Sequence, residues 1–196
     1  MKKKKKIEST FKNMVLTLLI ISGVAALSLA FVHKITEEPI RKAQEAKLKK
    51  ALSEVLPQFD TVEVKTMMPP TGKDSVTIYT AFKGGEKIGT AVRSYTYKGF
   101  SGLIVIMVGF DPKGDIINTA VLFHAETPGL GTKIERSNSD FPDQFKGKNP
   151  ATFKLKVKQD GGDVDAITAA TISTRAFCDA TQRAYDALKK EGGIEQ

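Results

Sequence analysis

Cysteine is all but absent, with Cys178 alone among 196 residues. A single thiol excludes an internal disulfide, a cysteine-ligated iron–sulfur cluster and a c-type haem attachment, each of which needs two or more. Redox chemistry in this chain therefore has to use a different cofactor, and Cys178 reads as a small apolar residue on a helix face. Histidine is limited to two positions, and no second His or Cys stands at ligand spacing from His124, which disfavours a metal site. Glycine (16) and proline (8) are too sparse for a low-complexity or collagen-like chain, whereas 41% apolar residues suffice for a packed core. There is no internal repeat, no dinucleotide glycine fingerprint and no nucleophile elbow, so classical hydrolases are disfavoured. The length suits one compact domain plus an appendage.

The formal net charge of +8 is unevenly spread: Lys2 to Lys6 and Lys12, offset by Glu8, place +5 in the first 13 residues. The remainder carries no basic stripe with recognition residues, which excludes a nucleic-acid partner. Immediately after the lysines, Met14 to Val32 runs 19 residues without a charge. That length of helix crosses a hydrocarbon layer of about 30 Å. With the lysines held inside, everything after His33 lies outside the cytoplasm. A cleaved signal peptide with Ser28-Leu29-Ala30 before the cut is the competing reading, but its apolar region would be shorter. The expected organisation is a cytoplasmic tail (1–13), a transmembrane helix (14–32), an amphipathic stalk (33–60) and an extracytoplasmic domain (61–196).

Thr36-Glu37-Glu38-Pro39 reads as the start of the stalk helix. Ile40, Ala43, Leu48, Leu52 and Val55 recur along it at near-helical spacing, and its lysines could lie on acidic lipid heads. Four β-branched and aromatic runs follow, at Val76–Phe82, Ile88–Tyr97, Leu103–Phe110 and Ile116–Phe123, and these read as strands. Turn residues at Lys83-Gly84-Gly85-Glu86 and Asp111-Pro112-Lys113-Gly114-Asp115 make an antiparallel meander the economical topology. The apolar run Leu103 to Val108 is expected to be a central strand buried on both faces. Ser137 to Pro150 reads as a polar connection, Phe153–Val157 as a short strand, and Thr171 to Lys190 as a helix with Ala176, Ala180, Ala184 and Leu188 on one face. The fold class is α+β.

Two segments have compositions that fit no simple core or surface role. In Asp165-Ala166-Ile167-Thr168-Ala169-Ala170-Thr171-Ile172-Ser173-Thr174, four hydroxyls crowd the start of a helix whose first amides lack partners. Such a terminus attracts phosphate, and Ala169 and Ala170 leave a ligand room to approach. The same hydroxyls could serve only as helix caps. The second segment, His124-Ala125-Glu126-Thr127-Pro128-Gly129-Leu130-Gly131, leaves a strand and combines a histidine, an acid and two glycines. It could equally be a plain strand-exit loop.

The pattern Asp165-x-x-Thr168-Ala169-Ala170-Thr171-x-Ser173/Thr174 resembles the flavinylation motif of FMN-binding domains in the G subunit of the Rnf electron-transport complex and the C subunit of the sodium-pumping NADH:quinone reductase. His124-x-Glu126-Thr127-Pro128-Gly129-Leu130-Gly131 is similar to the second hallmark of that family, and anchor, stalk, sheet and terminal helix follow its order. The resemblance implies that a magnesium-dependent flavin transferase moves FMN from FAD onto the Thr171 hydroxyl as a phosphoester. It implies that Asp165 and Thr168 belong to the sequence the transferase reads. It also implies that His124, Glu126, Thr127, Gly129, Leu130 and Gly131 border the flavin, with the Gly129 and Gly131 amides close to it.

The family usually has glycine where this chain has Ala169. A methyl fits there if φ is negative and is strained if the backbone is left-handed. On this resemblance the chain is an electron carrier in the cytoplasmic membrane, without catalysis of its own, working with other membrane subunits of an Rnf-type complex. The shorter length favours that complex over the quinone reductase. Alternatives are another extracytoplasmic flavin domain, or a non-redox scaffold in which Thr171 is only a cap.

Overall fold

The computed structural model describes residues 10–194, so the lysine run and Glu8 lie outside the described residues. The chain divides into two compact units at Ala46/Lys47. Helix α1 (Phe11–Val55) runs 45 residues without interruption. Among the described residues it alone is long and apolar enough to cross a membrane, and its apolar window is unburied. No new helix starts at Thr36. The Thr36 hydroxyl donates to the Val32 carbonyl at 2.9 Å, a mid-helix back-bond, and Pro39 sits inside the helix. Residues before a proline lean away from the helical region, but only one backbone bond is lost and the flanking apolar and charged turns continue the coil. Of the residues read as the stalk's apolar face, Ile40 and Ala43 are exposed, and burial is confined to the last turns, at Ala51, Leu52 and Val55.

The second unit opens with those turns. Its sheet has the order β1 (Thr61–Met67), β2 (Val76–Lys83), β3 (Glu86–Gly99), β4 (Gly102–Phe110), β5 (Ile116–Phe123), and each neighbour pair is antiparallel. The four expected strands are present as a meander. Strand β1, not anticipated, is an edge strand whose residues are mostly exposed, and its only apolar alternation is the short Val62-Glu63-Val64-Lys65. Segment 153–157 forms no strand and contributes only an isolated bridge between Val157 and Val164. The 137–150 connection is less polar than it reads. A 3-10 turn at Phe141–Phe145 sends Phe141 and Phe145 into the core, edge-on to each other and against Phe177.

Helix α2 (Thr171–Lys190) covers one face of the sheet, where Ala176, Ala180, Ala184 and Leu188 are fully buried with Ile104, Ile106, Val108 and Phe110 of β4. The last turns of α1 and the residue that follows them cover the other face, packing Leu52, Val55 and Leu56 with Tyr79, Ala91 and Met107. Strand β4 is thus buried on both sides, which is why its sequence is continuously apolar. Each fully buried aliphatic side chain contributes about 1.5–3 kcal/mol. At Gly109 the Val55 backbone lies so close that any Cβ would overlap its carbonyl, so the residue sets how near α1 comes to the sheet.

Candidate functional site

One end of the sheet carries a cleft of about 340 Å³ lined by Phe100, Glu126, Thr127, Leu130, Gly131, Ala169, Ala170, Thr171, Ile172 and Ser173. Three elements build it: the two-residue β3–β4 hairpin at Phe100-Ser101, the loop leaving β5, and the first turn of α2. Phe100, Leu130 and Ile172 are exposed large apolar residues at this opening. Exposed apolar side chains gathered round a concavity mark a binding site more often than chance placement does.

The start of α2 is set by a tight turn in which the Ala170 N–H donates to the Ile167 carbonyl at 3.0 Å. Ala169 holds φ +61° in it, the only positive φ at a non-glycine position among the described residues. Positive φ at the third position of such a turn is where glycine is normally found. The first intrahelical bond runs from Thr174 N–H to Ala170 O at 3.0 Å, so the amides of Thr171, Ile172 and Ser173 precede it and remain for other acceptors. Ala170 is the N-cap and no side chain caps the helix. The hydroxyls of this segment are therefore not caps.

Their placements differ. Thr174 is fully buried and committed, accepting from Ile167 N–H and donating to Ala170 O, both at 3.1 Å. The buried Ser173 hydroxyl donates to Glu126 Oε2. Thr168 is exposed and lines a separate depression with Asp165, Lys133 and Gln144. Thr171 alone combines a half-buried place in the cleft with a hydroxyl that has no hydrogen-bond partner among the described residues.

The loop after β5 is similarly divided. Glu126, 5% exposed, accepts from Ser101 N–H at 3.0 Å through Oε1 and from Ser173 through Oε2. Thr127, Leu130 and Gly131 also reach the cleft. His124 does not line it. Its Nδ1 accepts from Glu126 N–H at 3.1 Å and its Nε2 faces Glu135 Oε1 at 3.2 Å, so both nitrogens are used in holding the loop. The Gly129 amide, expected to approach a ligand, donates to Thr132 Oγ1 at 3.0 Å. Asp165 points away to Lys158 at 2.7 Å, while Gln144 grips its backbone on both sides.

The cleft therefore unites Glu126, Thr127, Leu130, Gly131, Ala169, Ala170, Thr171 and Ser173 of the sequence candidates, and leaves His124, Gly129, Asp165, Thr168 and Thr174 off its wall. Phe100 and Ile172 belong to it and were not anticipated. Ile172 occupied a variable motif position. Phe100 lies on another hairpin, and an aromatic at a two-residue turn between glycines was the available signal.

A model of the FMN-binding domain family matches residues 99–186, a span containing both motifs and Phe100. The G subunit of the ion-translocating oxidoreductase complex of Vibrio atlanticus is 32% identical over 179 residues, covering 86% of each chain. The corresponding protein of Aliivibrio fischeri is 33% identical over 187 residues, 90% of this chain and 89% of the other. That of Salmonella typhi is 40% identical over 119 residues, 59% and 58% of the two chains. The chain belongs to the family of G subunits of ion-translocating oxidoreductase complexes. It is a single-pass membrane protein with an extracytoplasmic FMN-binding domain.

The cleft suits FMN on its own terms. Its volume falls in the range of about 300–1,000 Å³ typical of small-molecule sites, its walls offer apolar side chains for a planar ring, and α2 opens with three available amides, where a phosphate binds well.

Proposed function

We propose that this chain is an electron-transfer subunit of an Rnf-type ion-translocating oxidoreductase complex and holds FMN through a phosphoester to Thr171 Oγ1. The observation that carries the attachment site is the contrast among four neighbouring hydroxyls. Ser173 and Thr174 are committed to Glu126 and to the turn, Thr168 lies in a different depression, and Thr171 stands uncommitted in the cleft. In this reading the amides of Thr171, Ile172 and Ser173 receive the phosphate oxygens, and Phe100, Leu130 and Ile172 enclose the ring.

Bound FMN supplies reversible one- and two-electron chemistry. The protein supplies a rigid mount, because both cleft walls are tied to the sheet and to α2. Covalent attachment suits a carrier outside the cytoplasm, where a dissociated flavin is lost and exchange serves no purpose. Maturation then requires a flavin transferase using FAD and magnesium. The other partners are membrane subunits of the complex, with lipid around α1.

The test is co-expression of the full chain with a flavin transferase, followed by flavin fluorescence in a denaturing gel. The wild type is expected to fluoresce and Thr171→Ala to be dark at equal protein. A dark wild type beside a modified control substrate would refute the attachment.

A further inference from the structure

Glu126 has a position that cofactor contact alone does not explain. It is buried, yet among the described residues no Lys, Arg or His lies within ion-pair distance of its carboxylate. Both oxygens accept hydrogen bonds from different elements, Oε1 from Ser101 N–H in the β3–β4 hairpin and Oε2 from the Ser173 hydroxyl in the first turn of α2. The site is close-fitting: a Cβ on Gly131 would lie 2.6 Å from Glu126 Oε2 and 2.7 Å from Ser173 Oγ. An ionised carboxylate only accepts hydrogen bonds, and this one is met by two donors. Burial of a charged group is costly unless its oxygens are satisfied, so a Glu here needs a reason beyond filling space.

We propose that Glu126 is a positioning residue that latches α2 to the β3–β4 hairpin across the cleft and presents a carboxylate with no cation partner to the flavin, setting how readily that flavin is reduced. This rests on the reading that FMN occupies the cleft. The latch follows from the two hydrogen bonds, since the hairpin carries Phe100 and the helix carries Thr171, and Glu126 fixes the gap between them. The electrostatic effect follows from its place on the cleft wall, where a negative charge in low-dielectric surroundings opposes addition of electrons nearby.

The two consequences separate in Glu126→Gln and Glu126→Ala. Gln has the same length, can accept from Ser101 N–H and can still hydrogen-bond Ser173, but carries no charge. Thermal unfolding of the full chain without flavin reads the latch: Glu126→Ala is expected to melt lower than the wild type and Glu126→Gln to recover most of the loss. Spectroelectrochemical titration of the flavin-loaded full chain reads the charge. Glu126→Gln is expected to shift the midpoint potential to a more positive value with the flavin still attached.

An Ala variant that melts with the wild type overturns the latch. A Gln variant with unchanged or more negative potential overturns the electrostatic role. Because the unfolding arm uses unmodified protein, it decides the latch even if the wild type takes no flavin, and flavin loading itself is checked by absorbance before any titration.

Discussion

Ala169 occupies a conformation that its side chain disfavours, and relieving it should stabilise the protein. Its φ of +61° lies in the left-handed region, where an L-residue pays about 1–2 kcal/mol and glycine pays nothing. Replacing alanine by glycine also increases the freedom of the unfolded chain, which takes back about 0.4–1 kcal/mol. Ala169→Gly is therefore expected to stabilise by about 0.8 kcal/mol, the difference between the midpoints of the two ranges. For a chain of this size, 1 kcal/mol moves Tm by roughly 2–4 °C, so the expected rise is about 2–3 °C. Ala169→Val supplies the opposite arm, because a β-branched residue is still less tolerant of positive φ, and its Tm should fall.

Thermal unfolding of the detergent-solubilised full chain, monitored by circular dichroism, measures both. A fall in Tm for the glycine variant, or no fall for valine, would refute the claim that this turn is strained. Initial rates of flavin transfer form an independent readout. The methyl lost from the cleft wall lies two residues from Thr171, so the glycine variant is expected to accept flavin at least as fast as the wild type.

Thr174→Val keeps the shape of a fully buried side chain but leaves the Ile167 N–H without its acceptor. A loss of about 1–3 kcal/mol is expected by chemical denaturation. Gly109→Ala should be more disruptive, because its Cβ meets the Val55 backbone; exposure of the 51–56 region to hydrogen exchange would report the displaced α1 turns. Burial pushes the Cys178 thiol up to about 12, well above its ordinary value. The thiolate is the reactive form, so a thiol reagent at pH 8 should leave Cys178 unmodified in the folded protein and label it on unfolding.

The meander, β4 buried on both faces and the extent of α2 were legible because each rests on local patterning: alternating or continuous apolar runs, turn residues, and alanines at helical spacing. What escaped depended on tertiary context. Strand β1 pairs through its backbone at an edge and leaves most of its side chains in solvent, so the short alternation Val62-Glu63-Val64-Lys65 is all that announces it. Pro39 with its capping-like neighbours gave a helix start that the continuous α1 overrides. Phe141 and Phe145 sit among polar residues and enter the core only because a 3-10 turn aims them there.

The candidate site shows the same division. Motif order located both segments, but which face each residue took came from the turn at Ala169 and the loop held by His124. These put Thr171 and Glu126 in the cleft and turned Asp165 and Thr168 out of it.

The central claim is that one hydroxyl among four carries the flavin, and tryptic peptide mapping of the flavin-loaded chain tests it directly. Cleavage after Lys158 and Arg175 releases a single peptide containing Thr168, Thr171, Ser173 and Thr174. Fragmentation that places the added FMN phosphoryl group on Thr171 is the expected result. Its assignment to Thr168, Ser173 or Thr174, or a peptide recovered wholly unmodified from protein treated with an active transferase, would contradict the account.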